Sequence, residues 1–343
     1  MIVFEFLVVF IATVVGTGWL IRYASVLQLV DEPNQRSVHR GVIPKGAGVV
    51  FSLTALLGLV LFESSCCLQH FPLLGSLLLI LAVGVLDDRN GIAPRFKFFV
   101  IALATLILWE GGVFIDNVGR YFGMEIHFGF LEIPFTFFAL AGFTNAMNLI
   151  DGLDGLAGSL GVLMLSTFLL LGWRYHDPVL FQFSLVFLAA LLAFLLFNWY
   201  PATIFMGDSG SLTLGFLISI LSIRALEYLP SVSVLYLGAV PILDTLIAIL
   251  RRKVRGRSVT APDRCHLHHL LLNCNKANVP KTVFIIVLLQ IPFTAIGLLL
   301  PRGIDQTLPL LLFFATVWAG YRWVERMIRM QRIECYPTEE KPV

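Results

Sequence analysis

Apolar stretches of about twenty residues recur along the whole chain, and they restrict the folds that it can adopt. A helix of roughly 20 residues crosses about 30 Å of hydrocarbon. We identify eleven such segments, near residues 2–24, 47–63, 71–86, 96–115, 133–148, 156–173, 179–198, 210–226, 232–250, 281–300 and 307–324. The chain is 58% hydrophobic and 13% charged, unlike soluble domains. We therefore predict an all-α polytopic membrane protein with about 11 transmembrane helices, or 10 if the short third segment lies at the interface.

The basic residues predict how these helices are oriented. Glu5 lies in the first segment and Arg22 follows it, which favours a retained helix over a cleaved signal peptide. With the N-terminus outside, 20 of the 24 basic residues fall on the opposite face or at helix ends that face it, and the outside connections hold only Arg120, Arg174, Arg224 and Arg302. Because cytoplasmic connections are rich in Lys and Arg, we predict an outside N-terminus and a cytoplasmic C-terminus.

The chain is predicted to form a single integral membrane domain over residues 1–343. Its longest hydrophilic stretch, 251–280, is too short for an independent core. The five cysteines predict no disulfide framework, since Cys66 and Cys67 are adjacent while Cys265, Cys274 and Cys335 fall on the predicted reducing side. The net charge of +2 gives no indication of a nucleic-acid partner, and we predict none.

Five polar loops are predicted to meet at the cytoplasmic face. They are "DEPNQRSVHRGVIPKGAG" (31–48), "DDRNGIAPRFK" (87–97), "NAMNLIDGLDG" (145–155), "FMGDSGS" (205–211) and "RRKVRGRSVTAPDRCHLHH" (251–269). The outside loops contain no comparable group of charged and amide side chains. This distribution predicts one composite site at one membrane face.

The segment 145–155 places four polar side chains at steps of three. Helix capping explains one or two such residues but not four. Asn145 and Asn148 can be neighbours on a helix, and the glycines at 152 and 155 allow Asp151 and Asp154 to turn toward a common ligand. Amide and carboxylate oxygens suit Mg²⁺ or Mn²⁺, together with substrate phosphates.

Other polar residues fit a phosphate-metal site. Asp87 and Asp88 lie at the end of a predicted helix, where they could serve as a base or hold a metal. The alternative is that they are solvated residues at a helix end without a functional role. Asp208 lies in a glycine turn that could bring its carboxylate to a metal, although an ordinary turn is as plausible. The basic residues that could neutralise phosphate oxygens are Lys45, Arg95, Lys97 and Arg264. The arginines after Leu250 are better explained as positive-inside anchors.

The "DRCHLHH" segment raises the alternative of a zinc site. Its spacing matches none of the usual structural zinc patterns, and its basic, oxygen-rich surroundings favour phosphate or another metal. Asp244 is different, because it lies inside the ninth segment. An intramembrane carboxylate is a functional candidate, and pairing with a neighbouring helix is an equal alternative.

Taken together, these motifs resemble those of the polyprenyl-phosphate N-acetylhexosamine-1-phosphate transferases. The matching features, in family order, are "DD" at 87–88, "NxxNxxDGxDG" at 145–155, "FMGDSG" at 205–210, "PILDT" at 241–245 and "PDRxHLHH" at 262–269. The "HLHH" form looks closer to the branch that starts O-antigen or common-antigen glycans than to the peptidoglycan translocase. The resemblance implies transfer of a sugar 1-phosphate from a UDP-N-acetylhexosamine to undecaprenyl phosphate in the bacterial inner membrane, in contact with membrane lipids. It leaves a homodimer open.

The resemblance also implies roles for individual residues. Mg²⁺ or Mn²⁺ would be held by Asn148 and Asp208. The residues at the reacting groups would be Asp87, Asp88, Lys97 and Asp208. The UDP-sugar would be bound by Lys45, Asn145, Asp151, Gly152, Asp154 and Phe205, the last stacking on uracil. The pyrophosphate or sugar would contact Arg264, His266, His268 and His269.

Three other functions are alternatives to this one. A phospho-MurNAc-pentapeptide translocase is the alternative within the same family. A CDP-alcohol phosphotransferase would want an arginine where "DGLDGLAG" has Gly158, and two further aspartates. A cation-coupled transporter would place polar residues near the midplane and show an internal repeat, and neither is apparent in the sequence.

Overall fold

The chain folds as a bundle of helices. A computed structural model describes residues 2–31, 41–62, 70–258, 265–331 and 335. The helices in these residues are α1 (Ile2–Tyr23), α2 (Ala47–Phe62), α3 (Phe71–Asn90), α4 (Pro94–Glu110), α5 (Glu132–Ile150), α6 (Leu156–Tyr175), α7 (Pro178–Asn198), α8 (Gly207–Ala225), α9 (Ser231–Leu237), α10 (Ala239–Val254), α11 (Leu267–Cys274), α12 (Val279–Leu299) and α13 (Thr307–Gln331). Two antiparallel pairs of strands accompany them, β1 (Val30–Asp31) with β2 (Ile43–Pro44) and β3 (Asn117–Tyr121) with β4 (Met124–His127). The all-α class is confirmed.

Each of the eleven predicted apolar segments overlaps a helix, and the ninth is divided between α9 and α10, which meet at an angle of 87°. Among the described residues, seven helices are long and apolar enough to cross a membrane, or eight if α9 and α10 form one broken span. The protein is thus a polytopic membrane protein. The count of 10 or 11 spans and the orientation of the termini stay predictions.

Helix α8 lies at the centre of the bundle. It packs against α2, α3, α5, α6 and α7, and it is buried along nearly its whole length. Glycines allow this close approach: a Cβ on Gly48 of α2 would lie 1.9 Å from the nitrogen of Gly210, and one on Gly84 of α3 would lie 2.5 Å from the Cα of Ser209. The backbones of α2 and α3 therefore touch the first turn of α8 and fix its position.

The ends of α3, α5 and α7 and the starts of α4, α6 and α8 lie at one end of the bundle. Strand β2 joins them there, because Phe205 donates its backbone N–H to Pro44 (2.8 Å) and the N–H of Gly48 donates to Met206 (3.0 Å). The predicted loops 87–97, 145–155 and 205–211 therefore share this end with Lys45.

The opposite end is closed by the β3–β4 hairpin. Gln306 fastens it: its Oε1 accepts from the N–H of Val232 (2.8 Å), and its Nε2 donates to the carbonyl of Val118 (3.0 Å). Between the hairpin and helices α5, α8 and α10 lies an apolar cavity of about 760 Å³. Its lining extends from Phe122 to Ala146 and Thr245, which are sequence neighbours of Asn145 and Asp244. The cavity therefore runs toward the end that carries the polar loops.

The prediction that no disulfide forms is wrong. Cys265 and Cys335 are disulfide-bonded, with their Cα atoms 5.1 Å apart. The two cysteines are 70 residues apart in sequence, and α13 packs against α10 and α11, which places the end of α13 near the segment before α11. Cys274 is free and exposed, and Cys66 and Cys67 lie outside the described residues.

Candidate active site

The site is built around the first turn of α8, which begins at a glycine. Gly207 has a φ of +74°, which favours glycine. The N–H groups of Asp208 and Ser209 donate to the two carboxylate oxygens of Asp88, at 2.7 and 3.0 Å. The N–H groups in the first turn of a helix have no acceptor within the helix. The two carboxylate oxygens of Asp88 therefore supply the acceptors that two of these N–H groups lack. Asp88 is 6% exposed, and in this structure it supports Asp208 from α3.

One lysine joins the two carboxylates that face each other across the site. The Nζ of Lys97, on α4, lies 2.5 Å from Oδ2 of Asp208 and forms a second ion pair with Asp87. Oδ1 of Asp87 also accepts a hydrogen bond from the N–H of Ile92 (2.5 Å). The structure thus brings together the predicted residues Asp87, Lys97 and Asp208 from three helices.

Asn148 contacts the other side of the same carboxylate. Its Nδ2 donates to Oδ1 of Asp208 (2.9 Å) and to the hydroxyl of Ser211 (2.8 Å). Asn145 lies three residues earlier on α5 and is half-buried. The predicted pairing of Asn148 with Asp208 is present, and Ser211 joins it although the sequence analysis did not select that residue.

The loop between α5 and α6 is attached to the loop before α8. Oδ2 of Asp154 accepts from the N–H of Ala202 (3.0 Å). Asn198, buried at the end of α7, accepts from the N–H of Gly155 (3.0 Å) and donates to the carbonyl of Ile204 (2.9 Å). Asp154 and Asn198 therefore hold two site loops together. The sequence analysis missed Asn198, since a single asparagine in an apolar helix carries no recognisable pattern.

Asp151 is a partly buried carboxyl group in an acidic environment. Burial, followed by the negative charges of Asp208, Asp88 and Asp154, raises its pKa to about 7. Burial is the largest cause of this shift, and the three neighbouring carboxylates add negative charge around the group. This is the electrostatic environment in which a divalent cation binds favourably.

We expect the Asp151→Asn variant to differ from the unsubstituted protein in a pH-dependent way. Because the folded-state pKa of Asp151 lies above its ordinary value of 3.8, the folded protein binds the proton more tightly, and its free energy of unfolding falls as pH rises from about 4 to about 7. Asparagine cannot ionise. In buffer without divalent cations, the thermal unfolding temperature of the variant should therefore rise relative to that of the parent between roughly pH 4 and pH 7 and change little above it. A difference that stays constant over this range would contradict the assignment.

The histidine segment reaches the same loop from the other side. Nδ1 of His266 lies 3.1 Å from Oδ2 of Asp244, and Nδ1 of His268 lies 3.4 Å from the same oxygen. His268 is 1% exposed and approaches Gly152 so closely that a Cβ there would lie 2.5 Å from its Nε2. The ring of His269 is centred 4.2 Å from that of His268. The predicted histidines and Gly152 are thus adjacent.

The remaining predicted residues are placed as follows. Lys45 and Phe205 are half-buried on segments that pair through their backbones beside the first turn of α8. Arg264 lies outside the described residues. The zinc alternative loses one ligand, because Cys265 is bonded to Cys335. Within the described part of the chain, no group of three or more His, Cys, Asp or Glu residues is arranged to hold a metal.

Comparison with known proteins identifies the family. A family model described as "Glycosyl transferase family 4" matches residues 70–226, which include Asp87, Asn148 and Asp208. A Bacillus subtilis protein named a probable undecaprenyl-phosphate N-acetylglucosaminyl 1-phosphate transferase is 34% identical over 277 residues, covering 79% of this chain and 77% of that protein. The chain belongs to glycosyl transferase family 4. Its membership confirms the resemblance drawn from the motifs.

Other relatives of this family 4 enzyme agree. The undecaprenyl-phosphate alpha-N-acetylglucosaminyl 1-phosphate transferase of Yersinia pestis is 28% identical, over 91% of each chain. The decaprenyl-phosphate N-acetylglucosaminephosphotransferase of Mycolicibacterium smegmatis is 31% identical, over 84% of this chain and 79% of that one. An enzyme of family 4 is neither a CDP-alcohol phosphotransferase nor a cation-coupled transporter, so both alternatives are set aside.

Proposed function

We propose that this enzyme transfers N-acetylglucosamine 1-phosphate from UDP-N-acetylglucosamine to undecaprenyl phosphate and releases UMP. The names of the relatives support this acceptor and this sugar. The structural observation that carries the proposal is the environment of Asp208, which contacts Lys97 and Asn148 and lies on a helix start fixed by Asp88. A rigid set of carboxylate, ammonium and amide groups is suited to a diphosphate and to phosphoryl transfer, where positioning and charge stabilisation dominate.

The reaction needs one bond made and one broken. An oxygen of the lipid phosphate attacks the β-phosphorus of the UDP-sugar, and the bond from that phosphorus to the bridging oxygen breaks. The electron pair leaves with UMP, whose phosphate needs no strong general acid. Lys97 is placed to neutralise the charge that develops on the phosphate oxygens. Asp87, through its ion pair, holds Lys97 in position.

A divalent cation, Mg²⁺ or Mn²⁺, fits the side chains at this site. Asp208 and Asn148 would hold it, with Asp151 beside them, where burial and then the charges of Asp208, Asp88 and Asp154 raise the pKa of Asp151. When bound, the cation supplies charge neutralisation of the diphosphate. Mg²⁺ is usually held by one or two carboxylates together with substrate phosphates, so a preformed cage of three protein ligands is not required.

We also propose where the lipid chain of the acceptor binds. The apolar cavity of about 760 Å³ is lined by rings and aliphatic chains such as Phe135, Phe138, Phe143 and Leu246. We propose that part of the polyprenyl chain occupies it while the phosphate reaches Lys97. The diphosphate donor enters from water, so we place the site at the cytoplasmic face of the bacterial inner membrane. The product would begin a lipid-linked cell-surface glycan such as O-antigen, and a homodimer remains a prediction.

A donor panel tests the proposal. Purified protein in detergent is incubated with Mg²⁺, undecaprenyl phosphate and radiolabelled UDP-N-acetylglucosamine, UDP-N-acetylgalactosamine or UDP-MurNAc-pentapeptide. We expect UMP and labelled lipid in equal amounts with UDP-N-acetylglucosamine, and none when undecaprenol replaces undecaprenyl phosphate. Turnover of the MurNAc-pentapeptide donor alone would instead favour the peptidoglycan translocase activity.

A further inference from the structure

Asp244 is a buried carboxylate that the proposed chemistry does not use directly. It lies on α10 and is 3% exposed. Its Oδ1 accepts from the backbone N–H of Leu267 (2.7 Å), and its Oδ2 faces Nδ1 of both His266 (3.1 Å) and His268 (3.4 Å). One side chain thus contacts the backbone and both imidazoles at the start of α11.

These contacts determine which ring nitrogens face outward. An ionised carboxylate only accepts hydrogen bonds, so the imidazole nitrogens that face it carry hydrogen. The Nε2 atoms then point away from Asp244. Both ring nitrogens of His268 are buried and form no hydrogen bond among the described residues: Nδ1 lies 3.4 Å from Oδ2 of Asp244, and Nε2 lies against Gly152 in the loop that carries Asp151. A buried polar atom without a partner is costly, and a ligand group could satisfy it.

Hydrogen bonds fix helix α10 on both sides of Asp244. At the break before it, Gln290 accepts from the N–H of Val240 (2.8 Å) and donates to the carbonyl of Leu237 (3.0 Å). Two turns beyond Asp244, the fully buried Arg251 donates through Nη1 to the carbonyl of Cys265 (2.7 Å). The backbone on both sides of His266 is therefore anchored to α10, which makes Asp244 a fixed reference for the rings.

We infer that Asp244 is a positioning residue: it orients His266 and His268 so that the Nε2 of His268 faces the bound diphosphate donor beside Gly152. The identity of this ligand rests on the proposed function. Removing a residue that orients a metal-bound histidine typically costs about 10- to 100-fold, and we expect a loss on the same scale here because Asp244 acts through the rings that it orients.

The chain offers a matched control for Asp244. Asp177, at the opposite end of the bundle, is 2% exposed. Its Oδ1 accepts from the N–H of Leu180 (2.9 Å), and its Oδ2 accepts from Nε of Arg224 (2.7 Å) and from the hydroxyl of Tyr228 (2.8 Å). Replacing it with asparagine makes the same chemical change in a similar environment, far from the site.

The kinetic test compares Asp244→Asn, Asp244→Glu and Asp177→Asn. We expect Asp244→Asn to lower kcat/KM for UDP-N-acetylglucosamine about 10- to 100-fold, Asp244→Glu to recover part of this loss, and Asp177→Asn to stay within about twofold of the parent. When His266 and His268 are already replaced by asparagine, adding Asp244→Asn should lower kcat/KM by less than about a further twofold. The effects of residues that act as one unit are not additive. A loss from Asp244→Asn that is undiminished in this background, or no loss in the parent, would overturn the inference.

A second measurement does not depend on the donor. In protein labelled with ¹⁵N-histidine, the ring-nitrogen resonances of His266 and His268 are assigned by their loss in the corresponding asparagine variants. We expect both rings to be protonated at Nδ1, and this signature to change in Asp244→Asn but not in Asp177→Asn. Unchanged resonances in Asp244→Asn would refute the positioning role. If the parent protein released no UMP, the proposed donor would be wrong. The ring-nitrogen resonances would still show whether Asp244 contacts His266 and His268.

Discussion

Replacing Asp208 with asparagine should lower turnover at least about a hundredfold while the protein remains folded, which is the scale expected for removing one group that stabilises developing charge. The carboxylate of Asp208 contacts both Lys97 and Asn148, so its charge organises the side chains around the diphosphate. Asparagine preserves the shape, and the backbone N–H at position 208 can still donate to Asp88. The measurement is UMP release at saturating substrates, with thermal unfolding in detergent as the test of folding.

The control for this prediction is Asp305→Asn. Asp305 also accepts backbone hydrogen bonds, from Gly123 (2.8 Å) and Thr307 (3.0 Å), but it lies beside the β3–β4 hairpin at the opposite end of the bundle. We expect its variant to turn over within about twofold of the parent, as surface changes away from a site do. Near-normal turnover of Asp208→Asn at ordinary Mg²⁺ concentrations would remove Asp208 from the proposed metal site.

Much of this arrangement follows from sequence patterns alone. Long apolar runs are readable because lipid requires every backbone polar group to be satisfied within a helix. The polar side chains at the helix ends on one side of the membrane then share one end of the bundle, and this is why the sequence alone groups Asp87, Lys97, Asn148 and Asp208. The structure brings these four together.

The features that escaped prediction are those that depend on three-dimensional proximity. The break at Gly238 lies three residues before Pro241, which cannot donate to the carbonyl of Leu237, and the sequence does not show that Gln290 on a distant helix satisfies the freed backbone groups. The partners of Asp88 are backbone N–H groups 120 residues away, so its role in supporting Asp208 is invisible in the motif. Likewise, Cys265 and Cys335 are 70 residues apart, and they are brought close by the packing of α13 against α10 and α11. Sequence spacing identifies candidate residues, whereas their division into ligand-facing and supporting roles requires coordinates.

Replacing Lys97 with methionine is expected to have a similarly large effect. The ammonium group is shared by Asp87 and Asp208, and it is the cation placed closest to the two carboxylates. Methionine keeps most of the apolar stem and removes the charge, which leaves two carboxylates facing each other and the phosphate oxygens without their ammonium. We expect kcat to fall at least about a hundredfold, again the scale of losing one charge-stabilising group. Lys97→Arg, which retains the charge with a different shape, should be intermediate.

A combined variant separates two explanations of that loss. If Lys97 only neutralised the repulsion between the carboxylates, removing one of those charges in Lys97→Met/Asp87→Asn would restore much of the activity. We expect no such recovery, because in the proposed reaction the ammonium stabilises charge on the transferred phosphate, and asparagine at position 87 supplies no positive charge to replace it. The thermal unfolding temperature should nevertheless rise relative to Lys97→Met, since the repulsion between Asp87 and Asp208 is gone. Recovery of turnover together with stability would show that Lys97 maintains the fold of the site and takes no part in phosphate transfer.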